Sequence, residues 1–153
     1  MSEKKIAAYG AWKSPITSDL IVAGTIGLSQ IALDGEDVYW VESRPQEKGR
    51  NVIVRCTPDG KTNDVTPAPF NVRTRVHEYG GGSYLVSDGE IFFSNFADQR
   101  LYHQKASGEP HSTTPKAELR YADALMDRQR NRIVCVRENH SVASIEAVNA
   151  IVG

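Results

Sequence analysis

Two Asp-Gly pairs 54 residues apart, Asp34-Gly35 and Asp88-Gly89, constrain this chain more than any other feature. Each joins a short run of strand-forming residues to a second, more apolar one, and Asp-Gly in that setting is a strong hairpin signal because the turn needs positive φ. The same order of landmarks follows each pair. The first unit runs through Ser29–Leu33, Val38–Val41, Asn51–Cys56, the turn Thr57-Pro58-Asp59-Gly60 and Lys61–Val65, and stops at Pro67. The second runs through Ser83–Val86, Ile91–Phe93, Arg100–Gln104, a Ser107-Gly108 turn and Ser112–Thr114, and stops at Pro115, 48 residues after Pro67. A third copy starts at Tyr121, 42 residues after Tyr79, and its second strand Ile133–Val136 starts 42 residues after Ile91.

Four-strand units of about 40–50 residues that repeat in this way predict propeller blades, each unable to bury its faces without neighbours. The expected fold is therefore all-β, a partial β-propeller of two complete four-stranded blades and an incomplete third, with blades at about 27–67, 72–115 and 118–153. A two-sheet sandwich uses the same strands but does not explain why the pattern restarts at matching landmarks. Residues 141–152 are Ala-rich and fit a helix by spacing alone. The register of the repeat demands a strand over Glu146–Val152 instead. Ahead of the repeat, residues 1–26 form an arm. There Ser14 and Pro15 read as an N-cap and first-turn pair, and Gly24 reads as a stop, predicting one short helix over Pro15–Ala23.

Composition narrows the function classes. A formal net charge of −1 gives no electrostatic reason to bind nucleic acid or an anionic membrane. The opening residues Met1-Ser2-Glu3-Lys4-Lys5 lack a signal-peptide core, and no apolar run approaches a membrane span, so a cytoplasmic protein is expected. Cys56 and Cys135 each sit in an apolar run and read as buried free thiols of a reducing compartment. His77, His103, His111 and His140 show no paired spacing and match no zinc template; no metal and no cofactor is expected. Tyr39, Trp40, Phe92 and Phe93 lie on the second strands of successive units and read as inter-blade core.

The constellation richest in chemistry is Arg73-Thr74-Arg75-Val76-His77-Glu78-Tyr79-Gly80-Gly81-Gly82, which opens the second unit. No Lys-Ser/Thr and no helix start follows its glycines, so backbone close packing explains them better than a phosphate loop. The segment resembles the blade-opening stretch of the propeller domain in prolyl-oligopeptidase-like serine peptidases, the acylaminoacyl-peptidase and dipeptidyl-peptidase relatives. The stretches Ala8–Thr17 and Phe93–Tyr102 resemble the same group, and the likeness extends over the whole chain.

That resemblance implies an N-terminal piece of a peptidase in which a propeller caps an α/β-hydrolase domain and restricts access to small peptides. The partners it implies are that hydrolase domain, the remaining blades, and peptide or acylamino-peptide substrates. It also implies that Arg73, Arg75, His77, Glu78 and Tyr79 line the cavity facing the active site, where Arg would pair with a substrate carboxylate or carbonyl and Glu with an amine. The structural alternative is an internal Arg–Glu pair tying one blade to the next. No Gly-x-Ser-x-Gly elbow occurs, so the chain is expected to be inert alone and to carry no catalytic residue. Uncovered faces on the terminal blades, and an unfinished edge at 146–152, lead to an expectation of self-association. A stand-alone binding or scaffold protein is the rival reading.

Overall fold

Three antiparallel sheets follow one another along the chain in the computed structural model, which describes residues 6–11, 13–22, 24–105, 108–142 and 148–153. The first meanders through β1 (Gly27–Asp34), β2 (Asp37–Arg44), β3 (Arg50–Cys56) and β4 (Thr62–Asp64). The second does the same with β5 (Tyr84–Ser87), β6 (Glu90–Ser94), β7 (Leu101–Lys105) and β8 (His111–Ser112). In the third, β10 (Arg132–Asn139) is flanked by β9 (Leu119–Asp127) and β11 (Val148–Val152). This is the partial propeller expected from the repeat. The strand expected over Glu146–Val152 is present from Val148, and 143–147 lie outside the described residues.

Alternation along the strands builds the core. On β2, Tyr39 and Val41 point to the second sheet and are buried, joined by Ile53 of β3. They meet Val86, Ile91 and Phe93 of the second sheet, with Val72 of the crossing segment between. Each such side chain removed from water contributes about 1.5–3 kcal/mol. Leu101, Tyr121 and Cys135 form the corresponding contact between the second and third sheets. Of the four aromatics expected in inter-blade core, Trp40 needs correction, and Phe92 faces the third sheet and not the first. Only Tyr39 and Phe93 are in the core between the first two sheets, because their neighbours in each run point the opposite way. Trp40 is half-buried and donates from Nε1 to Glu42, and Phe92 stacks on His103.

The first strands of the three sheets stand side by side, and two of them carry a bulge at a left-handed residue. Gln30 (φ 52°) interrupts β1 between Ser29 and Ala32, and Asp123 (φ 54°) lies in β9 where its register with β10 shifts. Between them sits the entry to β5. Gln30 Oε1 accepts from Ser83 N at 2.8 Å and from Ser83 Oγ at 3.0 Å; Asp123 Oδ1 accepts from Gly82 N at 2.6 Å. The Gly82 carbonyl accepts from Asp123 N at 2.8 Å. A Cβ at Gly81 or Gly82 would lie 2.9 Å from an Asp123 carboxylate oxygen, so these glycines are required by close approach.

The arm helix α1 spans Ser18–Val22, shorter than the helix expected from Pro15 to Ala23; residue 23 lies outside the described residues. The reason is a different cap. Thr17 Oγ1 accepts from Leu20 N at 3.1 Å, the geometry of an N-cap, whereas Ser14 Oγ accepts from Ile16 N in a separate local turn.

Candidate functional site

The segment 71–82 crosses one end of the first two sheets on its way to β5. Asn71 fixes its start: Oδ1 accepts from Asn51 N at 3.0 Å and Nδ2 at 2.9 Å, and its own N–H donates to Asn95 Oδ1. Further on, Val72 N donates to the Asn51 carbonyl and Arg73 N to the Ser94 carbonyl, while Arg75 N reaches Gln99 Oε1 at 2.7 Å. The chain is extended here, so side chains alternate. Val72, Thr74 and Val76 are buried, and Arg73, Arg75 and His77 face outward.

Both outward guanidiniums lie against one ring. Arg73 Cζ is 5.0 Å and Arg75 Cζ 4.3 Å from the centroid of Phe96, within the range of a cation–π contact. Among the described residues neither makes an ion pair. Arg75 stands at the rim of a cavity of about 530 Å³ whose wall also includes Asp98, Lys116, Glu118, Arg120 and His140. That volume is within the usual range for small-molecule sites. On the other side of the segment, Arg73, Tyr79 and Gln30 line a smaller cavity of about 170 Å³. A third space, also about 530 Å³, lies between the second and third sheets and is lined by Phe92, Tyr121, Met126 and Cys135 among others. It continues the apolar contact between those sheets.

After Val76 the backbone turns through left-handed φ at His77 (57°), Glu78 (61°) and Gly80 (88°). Tyr79, at the apex, is 98% exposed. Glu78 pairs with Arg120 at 3.1 Å, with its own side chain 80% exposed. An Arg–Glu link from the opening segment to the third sheet therefore exists, but Arg120 makes it and Arg75 does not. Arg120 Nη1 also donates to the Arg75 carbonyl at 3.0 Å.

The histidines are paired in space although not in spacing. His77 and His140 both approach the Glu138 carboxylate, and His103 Nδ1 lies 3.3 Å from His111 Nε2 across the β7–β8 ladder. His103 Nε2 meets Glu90 at 3.0 Å. No group of three or more potential metal-ligating side chains converges among the described residues. Both cysteines are free; Cys135 is buried, which pushes its thiol up, whereas Cys56 is only partly buried. Among the described residues no helix is long and apolar enough to cross a membrane.

Antiparallel sheets set in series, with first strands side by side and a crossing segment over one end, define a propeller-type protein. No family model and no curated protein matches the chain. Solved structures do. A puromycin-hydrolyzing peptidase of Mycobacterium tuberculosis is similar over 97% of this chain at 34% identity with a TM-score of 0.82. A puromycin hydrolase is similar over 87% at 36% identity with a TM-score of 0.75. The chain spans 24% and 22% of those two proteins, about a quarter of their length. Both neighbours are peptidases of the prolyl-oligopeptidase type, and the likeness is to their N-terminal propeller region.

Proposed function

We propose that this chain is the non-catalytic, substrate-access part of a serine peptidase that hydrolyses small peptides or acylamino-peptides, the chemistry itself residing in an α/β-hydrolase partner domain. The observation that carries the reading is the pair of guanidiniums over Phe96, Arg75 at the rim of the larger cavity and Arg73 at the smaller one, both free of carboxylate partners among the described residues. Two such groups suit a substrate carboxylate or carbonyl. His77, Glu78 and Tyr79 follow in the adjoining turn, where Tyr79 lines the smaller cavity with Arg73 and is the exposed aromatic contact. Puromycin, the substrate named for both similar proteins, is small, in keeping with a restricted entrance.

The blade limits at about 27–67, 72–115 and 118–153, the cytoplasmic location and the self-association of the isolated chain belong to the same proposal. Its test is Arg73→Ala and Arg75→Ala in the full-length enzyme. We expect kcat/KM for an acyl-peptide substrate to fall at least severalfold while thermal stability stays nearly constant, since both side chains are exposed. Unchanged kinetics in both variants would overturn the reading.

A further inference from the structure

We infer that Glu138 is the positioning residue that docks the 75–80 turn onto the third sheet, an inference that rests on reading this segment as the ligand-facing part of the site. Glu138 lies on the central strand of its sheet, opposite Arg120 of β9 and Asn149 of β11. Its side chain is only 5% exposed, and a carboxylate so placed must have its lone pairs occupied. The turn supplies much of that. Oε1 accepts from the backbone N–H of His77 at 2.6 Å and faces His77 Nδ1 at 3.3 Å. Oε2 takes His140 Nε2 at 2.9 Å and has Arg120 Nη1 at 3.9 Å.

The side-chain hydrogen bonds of Arg120 go to the turn, at the Arg75 carbonyl and Glu78 Oε1. One buried carboxylate and one guanidinium thus hold both limbs of a turn whose non-glycine residues His77 and Glu78 sit in the left-handed region. Such a conformation persists only where its surroundings over-determine it. Within the turn, Glu78 N bonds the Arg75 carbonyl, Tyr79 N that of His77 and Gly80 N that of Val76. Those local bonds shape the turn, whereas Glu138 fixes where it sits. His77 and the residues after it in the turn take their placement from a residue 61 positions further along the chain than His77.

The test is amide hydrogen exchange in the full-length protein, comparing wild type with Glu138→Ala and Glu138→Gln. In Glu138→Ala, exchange across 76–80 is expected to rise at least tenfold while β9 and β10 keep their protection. Glu138→Gln retains an acceptor oxygen for His77 N and should fall between the two. Equal exchange at 76–80 in wild type and Glu138→Ala, or a rise spread evenly over the third sheet, overturns the inference. If the Ala variant does not fold, the Gln variant decides by the same criterion. Peptide kinetics on the same proteins separate the two claims. A rise in KM with kcat retained supports both, and faster exchange with KM unchanged supports docking by Glu138 while removing the substrate role of the segment.

Discussion

Asp34 closes the hairpin of the first sheet as its last paired residue, opposite Asp37, and its carboxylate caps the hairpin of the second sheet, where Asp88 and Gly89 are the two turn residues. Asp34 Oδ1 accepts from Asp88 N at 2.9 Å and Oδ2 from Gly89 N at 2.6 Å. Asp88 passes the contact on, its carboxylate taking Arg128 Nη1 of the third sheet at 2.7 Å. The Asp-Gly pairs therefore serve two ends. Glycine permits the turn, and aspartate ties that turn to its neighbour.

Charge-assisted hydrogen bonds to backbone N–H groups contribute about 1.5–3 kcal/mol each when sheltered, and Asp34 is half-exposed. Asp34→Ala should therefore lower stability by about 1–2 kcal/mol. Asp88→Asn, which keeps a side chain suited to the left-handed backbone at this position, should lower it by less, about 0.5 kcal/mol, since the pair with Arg128 is exposed on both sides. Urea unfolding of the two variants checks the order, and an equal or reversed effect would remove the clamp from the account.

Gly81 and Gly82 make a sharper prediction. An alanine at either position drives its Cβ to 2.9 Å from the Asp123 carboxylate, and overpacking of that kind costs about 1–3 kcal/mol. Much of the clash is with one side chain. Gly81→Ala combined with Asp123→Gly should accordingly be less destabilising than the sum of the two single changes. Additivity within error would place the strain elsewhere.

What the sequence revealed was the local chemistry repeated with a fixed order: Asp-Gly turns, apolar second strands and prolines at the strand ends. Each of those marks where a hairpin or a strand end falls, although the two Asp-Gly pairs sit one position apart in their turns, at Gly35-Glu36 and at Asp88-Gly89. Contacts across sheets were hidden. Glu138 meets His77 and Arg120 meets Glu78 only because the crossing segment lies over the third sheet, and no spacing encodes that. The fully apolar run Val38–Val41 also concealed which face is shared, leaving Trp40 and Tyr39 indistinguishable until alternation placed them. In the arm, Ser14-Pro15 read as the cap, and only the hydrogen bond to Leu20 N shows that Thr17 takes that role.

The outward stripe on β1 leads to a prediction about association. Leu28, Ile31 and Leu33 are 68%, 76% and 70% exposed, and on the third sheet Leu125 and Ile151 are 68% and 80% exposed. Apolar rows of this kind favour contact with another surface. The isolated chain should bind a hydrophobic dye and show concentration-dependent sedimentation, and Ile31→Lys with Leu33→Lys should reduce both. A clean monomer with no dye binding would contradict this.

The final prediction concerns acid. Burial pushes the Glu138 carboxyl up, but the His140 hydrogen bond, the His77 N–H and the charge of both imidazoles outweigh it and hold the group below the usual carboxylate range. A folded-state value below the unfolded one means that Glu138 stabilises the fold fully above the ordinary glutamate pKa of about 4.3. That contribution is lost as pH falls through the lower folded value. Glu138→Gln should thus be less stable than wild type by about 2 kcal/mol at neutral pH, a magnitude set by hydrogen bonds to a sheltered charge. The gap should persist down to about pH 5 and close only below the ordinary carboxylate range, where wild type also carries a neutral side chain. Urea midpoints for both proteins across the acid range measure it. Because the other carboxylates are common to both, the difference reports Glu138 together with the two imidazoles it faces. A gap independent of pH would mean that shape and packing, and not the charge of Glu138, hold the turn in place.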